Sequence, residues 1–179
     1  MKIIKFLSIF LLVTYLLFSG ITWSKSNSSH FKRINSKWIT NPKIDSSKVN
    51  KDSLIVFAKK YLGTPYRYGC ATPKGFDCSG FTYFVFKHFK INVPRSSRDY
   101  YSYGTDISKE ECQKGDVICF KGTNSQTKRI GHVGIVISEK GEPIKFIHAS
   151  SSRRNYCVTI SELIGSYYQK RYVKIKRVL

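Results

Sequence analysis

Two changes of pattern along the 179-residue chain predict an α+β fold, with N-terminal helices packed on an antiparallel sheet of about five strands. In the first half, apolar residues recur at steps of three and four. After Gly115 they fall into short runs of β-branched and aromatic residues separated by turn residues. The length suits one domain with its own core and is too short for two once the ends are discounted.

The elements follow in order. Lys2 and Lys5 precede an apolar run from Phe6 to Ile21, the pattern of a secretory signal, with Thr22 and Ser24 small enough to flank cleavage after Ser24. Trp23 and the length of the run leave an uncleaved membrane anchor as the other reading. Residues 25–50, rich in Ser, Asn and Lys, read as a linker in which Trp38 and Ile39 are candidates to dock on the domain of residues 51–179. A first helix is expected over Asp52 to Leu62, stopped by Gly63 and followed by the extended Thr64-Pro65. A glycine-rich loop, Tyr66 to Phe76, delivers the chain to Asp77-Cys78-Ser79-Gly80. There a second helix begins, with Phe81, Phe84, Val85, His88 and Phe89 on one face and Asp77 or Ser79 as cap. A short helix is expected from Ser96 to Gly104. Strands are expected at Val117–Phe120, Ile130–Ser138, Pro143–Ala149, Tyr156–Ile160 and Tyr172–Val178.

The net charge is +20, and +18 after loss of Lys2 and Lys5 with the signal, which suits attraction to an anionic surface such as wall polymer or lipid headgroups. The lysines are spread along the chain without a nucleic-acid-binding motif, so no nucleic-acid partner is expected. Five cysteines (Cys70, Cys78, Cys112, Cys119, Cys157) make an odd count, which flags a free thiol in an exported chain. Cys78 is the best candidate: the partial positive charge and unpaired N–H donors of a helix start favour a thiolate, so its pKa is expected to be depressed. The bland alternative is a small buried core residue.

Two histidines argue for chemistry. A hairpin loop at Glu139-Lys140-Gly141, centred on Lys140, sets His132 opposite His148 on one sheet face, with Cβ atoms about 4.5–5.5 Å apart. Packing that face against the helix that starts at Cys78 brings nucleophile, base and orienting group into line. Each histidine taken alone is more simply structural. A zinc site from the same residues lacks further ligands at metal spacing, so neither a metal nor another cofactor is expected.

Six pieces in order, Leu62-Gly63-Thr64-Pro65-Tyr66-Arg67-Tyr68-Gly69, Asp77-Cys78-Ser79-Gly80-Phe81, Pro94-Arg95-Ser96-Ser97, Gly115-Asp116-Val117, Gly131-His132-Val133-Gly134-Ile135 and Phe146-Ile147-His148-Ala149, make the chain from about Leu54 to Leu179 resemble the NlpC-type cysteine peptidases of the bacterial cell wall. The resemblance implies a papain-like domain in which Cys78 attacks an amide carbonyl, His132 is base and then acid, and His148 orients His132. It implies that Tyr66 aids the oxyanion or substrate and that Asp77 and Ser79 help bind the peptide. By residue chemistry alone Tyr66 is as easily core, and Asp77 a cap. Implied substrates are peptidoglycan stem peptides, cut between D-glutamate and a diamino acid or at the adjacent cross-link. The N-terminal signal pattern sets the expected location in the periplasm or cell envelope, secreted or anchored, and a monomer is expected. Cys70 departs from the family's usual second glycine, and no cysteine follows the apolar run to carry lipid. A non-catalytic wall-binding module, an exported wall-degrading toxin and an acyl-transfer enzyme stay open as other readings.

Overall fold

The computed structural model describes residues 49–122 and 129–179. The expected signal, Trp38, Ile39, almost all of the linker and the loop residues 123–128 lie outside the described residues.

Helix α1 spans Lys51–Lys59, capped by the Asn50 side chain, which accepts from the Ser53 N–H at 3.0 Å. It ends earlier than its periodicity predicts. Lys60, Tyr61 and Leu62 donate to carbonyls three residues back, and Gly63, at φ 81°, turns the chain so that its N–H reaches the Val158 carbonyl. The demands of the sheet override a helical pattern here. The following loop folds into a small hairpin, β1 (Ala71–Thr72) with β2 (Gly75–Phe76). Helix α2 then spans Cys78–His88, and a 3-10 turn covers Ser97–Tyr101 in place of a longer helix, with the Ser96 hydroxyl accepting from Arg98 N–H.

The main sheet has six strands: β3 (Thr105–Ile107), β4 (Val117–Lys121), β5 (Ile130–Val136), β6 (Lys145–Ala149), β7 (Val158–Glu162) and β8 (Tyr172–Arg177). Their order is β3-β8-β4-β5-β6-β7 and every pairing is antiparallel. The strand beyond the expected five is β3, an edge of three residues too short and polar to show a period. Its Asp106 pairs with Lys174 at 3.0 Å and Lys176 at 2.9 Å on β8.

Alternation along the strands splits the core in two. Val117, Cys119, Val133, Ile135, Ile147 and Ala149 pack with Leu54, Ala58, Phe81 and Val85 of the helices. Ile118, Phe120, Val136, Phe146 and Ile175 form a second cluster with Cys112, Ile144 and Leu163. The start of α2 is held by its own motif: Asp77 accepts from Gly80 N–H at 2.6 Å, and the Cys70 carbonyl accepts from Asp77 N–H at 2.9 Å. Gly80 is required because a Cβ there would stand 2.1 Å from the Cys70 carbonyl oxygen, a backbone atom with no freedom to yield.

Gly80→Ala is therefore expected to destabilise the domain by about 1–3 kcal/mol through overpacking, read as a lower urea midpoint with an unchanged slope.

Candidate active site

Cys78 opens α2 and is 7% exposed, at the floor of a cleft of about 590 Å³ lined also by Tyr66, Tyr68, Asp77, Ser79, Arg95, Arg98, Asp99 and Gly131. Three of the sequence-predicted residues, Tyr66, Asp77 and Ser79, thus share the cleft of the thiol. Asp77 is the helix cap, and its carboxylate also takes a two-pronged bond from Arg95, at 2.9 and 2.8 Å. Arg95 Nη1 further donates to Ser79 Oγ at 3.2 Å. Arg95 was visible in the sequence only as part of a motif; nothing local to Asp77 announces a partner 18 residues away. Tyr66 packs on Tyr156 with ring centroids 5.0 Å apart. Burial first, then the neighbouring Cys78 and Asp77 charges, push its pKa up to about 12, so it remains a hydrogen-bond donor at neutral pH.

The two imidazoles meet, with His132 Nε2 2.9 Å from His148 Nδ1 and the rings nearly perpendicular. They do so in a register other than the one expected. Ile135 stands opposite Ile147 and Val136 opposite Phe146, because the loop closes through Ile137 N–H to the Lys145 carbonyl and turns at Gly141, φ 86°, one residue beyond Lys140. The two-residue offset preserves parity, so the histidines keep a common face and meet along a diagonal. Gly134 makes room for this. A Cβ there would lie 2.7 Å from the Phe146 ring and 3.2 Å from His148 Cβ.

A second correction concerns the faces. The imidazoles lie on the side of Phe120, Phe146 and Tyr168, whereas α2 packs against the other side. The thiol reaches the histidine strand at its beginning instead of over its face: Cys78 Sγ lies 3.9 Å from the Gly131 carbonyl oxygen, one residue before His132. Among the described hydrogen bonds none joins Cys78 to either ring.

Burial decides the protonation states. It pushes the Cys78 thiol above the ordinary cysteine value, outweighing the backbone N–H groups of Val133 and Ser79 that favour the thiolate, and the Asp77 charge adds to the rise. The depressed thiol pKa expected from the helix start is therefore overturned by desolvation. Burial likewise holds His132 well below the ordinary imidazole range, with smaller contributions from His148 and Arg171, and takes His148 down to about 3. Thiol and both imidazoles are neutral at pH 7.

The sequence reading missed Ser161, whose Oγ stands 3.0 Å from His148 Nε2. It lies just past the expected end of its strand, two residues beyond Thr159, which pairs with His148. Alternation carried one step further would have put it on the histidine face. Tyr168 was also missed; its ring stacks on His132 with centroids 5.7 Å apart. All five cysteines are free thiols, including Cys70.

An ordered set of buried polar groups, a thiol on a helix start, and an imidazole pair ending on a hydroxyl can support nucleophilic attack with proton transfer. The chain is 37% identical over 134 residues to a probable endopeptidase NlpC of Escherichia coli, covering 71% of this chain and 81% of that protein. It is 37% identical over 120 residues to the E. coli murein DD-endopeptidase MepS/murein LD-carboxypeptidase, covering 66% of this chain and 58% of that protein. The solved structure of an NlpC/P60 family protein from Bacillus cereus superposes with a TM-score of 0.64 at 34% identity, over 73% of this chain and 41% of that one. The sequence pattern of the NlpC/P60 family matches residues 63–177, and the chain belongs to that family.

Proposed function

We propose that this chain is an exported cysteine endopeptidase that hydrolyses amide bonds of peptidoglycan stem peptides, at the D-glutamyl–diamino acid bond or the adjacent cross-link. The observation that carries the reading is the buried His132–His148 pair at 2.9 Å, with His132 on the strand whose start at Gly131 meets the Cys78 thiol. The names of the relatives support the substrate class. The apolar run Phe6 to Ile21 behind Lys2 and Lys5 supports export to the periplasm or cell envelope, and the net charge of +20 supports holding to anionic wall polymer.

The chemistry follows from the hydrogen bonds. His132 Nε2 is engaged by His148, which leaves Nδ1 to serve the thiol. For His132 to carry its proton on Nε2, His148 must accept at Nδ1 and hold its own proton on Nε2, where Ser161 Oγ accepts it. As Cys78 Sγ attacks the amide carbon, its proton passes to His132 Nδ1. The tetrahedral oxyanion then collapses, the C–N bond breaks, and His132 returns the proton to the leaving amine. Water, deprotonated by the same imidazole, cleaves the thioester and frees the thiol. Tyr66, Asp77, Ser79 and Arg95 line the cleft in which the acyl half of the peptide stays attached to Cys78. A non-catalytic wall-binding module would have no use for this buried relay.

Incubation of the full-length chain with muropeptides under reducing conditions is expected to yield new fragments by mass spectrometry, and their absence would sink the reading. Cys78→Ala and His132→Ala should each abolish turnover with a near-normal melting temperature, and His148→Ala should retain some. Ser161→Ala is expected to lower kcat about fivefold with KM unchanged, by loss of one buried hydrogen bond, and Ser161→Thr to restore it. Because thiol and imidazole rest neutral, alkylation of Cys78 by iodoacetamide should rise through and above the ordinary thiol pKa near 8.5. A plateau between about pH 4 and pH 7 would instead reveal a thiolate–imidazolium pair.

A further inference from the structure

Between α1 and α2 runs an aromatic seam that the rest of the domain leaves partly open. The Phe57 ring lies flat on His88, with centroids 3.8 Å apart, and meets Phe84 at 5.8 Å, while Tyr61 stands edge-on to Phe84 at 5.0 Å. Phe57, Tyr61 and Phe84 stay half-buried and His88 is exposed. On the outer side of α1, Val56 is 59% exposed, one turn from the exposed Lys60.

The charges around the seam are nearly all of one sign. Residues 49–63 and 78–93 contain Lys51, Lys59, Lys60, Lys87 and Lys90 against a single acid, Asp52, and that acid is paired with Lys114. Lys59, Lys60, Lys87 and Lys90 are exposed, and none is in an ion pair among the described residues. Lys87 Nζ lies 5.2 Å from the centre of the Tyr83 ring, so its charge rides over aromatic surface.

Aromatic and aliphatic groups flanked by unpaired lysines suit the headgroup layer of an anionic bilayer, where the rings enter the interface and the ammonium groups reach the lipid charges. A water-soluble anionic polymer would engage the lysines and leave Val56 and the seam without a partner. In the sequence, α1 is the first described element behind the apolar run Phe6 to Ile21, so a bilayer that takes up the run is tethered to the start of α1.

We propose that the α1–α2 face docks on an anionic phospholipid surface, with Val56 and the Phe57–Phe84 seam at headgroup level and the four exposed lysines on the lipid charges. Docking leaves the cleft open, because Cys78 is the first residue of α2 and Lys87 lies in its last turn, about 14 Å further along the axis. This surface goes beyond the peptidase reading and does not depend on it.

The test is a lysine footprint on the full-length chain. The protein is mixed with vesicles of phosphatidylcholine alone or of phosphatidylcholine with phosphatidylglycerol, acetylated briefly with an amine-reactive ester, and each lysine is read by mass spectrometry. Labelling of Lys59, Lys60, Lys87 and Lys90 is expected to fall about fivefold on the mixed vesicles and not on phosphatidylcholine alone. Lys109, which lies over the Tyr172 ring beside the second core cluster, and the exposed Lys170 should keep their rates. Lys60→Glu combined with Lys87→Glu, both at exposed positions, should abolish the protection of Lys59 and Lys90. The inference is overturned by protection that is absent, that covers Lys109 and Lys170 equally, that is the same on both vesicles, or that survives the double variant. A footprint formed on peptidoglycan sacculi bearing anionic polymer, and not on vesicles, also overturns it and assigns the face to the wall. The footprint needs no turnover, so failure of the peptidase reading and failure of this one are read separately.

Discussion

The Asp77 carboxylate is the point on which the site depends. It is buried, and its charge is compensated by the Gly80 N–H of its own helix and by both prongs of Arg95, with Ser79 tied into the same group. A buried carboxylate must be fully bonded to be tolerated, and here each bond constrains a different part of the molecule. The bond to Gly80 N–H defines where α2 begins and so where Cys78 sits. The fork to Arg95 ties the segment after α2 to the mouth of the cleft. The approach of the Cys70 carbonyl against Gly80 fixes the loop that bears Tyr66 and Tyr68.

Desolvation is the second governing effect, and it reverses the electrostatics expected from a helix terminus. The dipole of an α-helix contributes at most a modest preference for the thiolate, while nearly complete burial removes the water that would solvate it. The same burial keeps both imidazoles uncharged. A neutral thiol and two neutral imidazoles store no charge in the core. Tyr66, at the mouth of the same cleft, likewise stays protonated.

Much of the architecture was legible because it is written in local patterns. The Asp77 cap, the periodicity of α2, and the alternation of β4, β5, β6 and β8 all lie within a few residues of the chain. Alternation is also robust to error: the register of β5 against β6 was misplaced by two residues, yet His132 and His148 still shared a face, since parity survives any even shift. The edge strand β3 was not legible, because three half-polar residues acquire strand geometry only by pairing with β8. Helix α1 stopped early for a related reason: Gly63 and Thr64 bond to Val158, nearly a hundred residues away.

By itself, the amino-acid sequence determined that a thiol stands at a helix start and two histidines lie on one side of an antiparallel sheet, because capping and alternation are short-range consequences of side-chain geometry. Tertiary structure alone decided what surrounds them. It placed α2 on the face opposite the imidazoles, joined Arg95 to Asp77, extended the histidine pair to Ser161, and buried the thiol deeply enough to raise its pKa. It also separated an acid-and-base-lined cleft at Cys78 from an arginine-lined one at His132. Each of these depends on solvent exclusion or on contacts between distant segments, which no local pattern encodes.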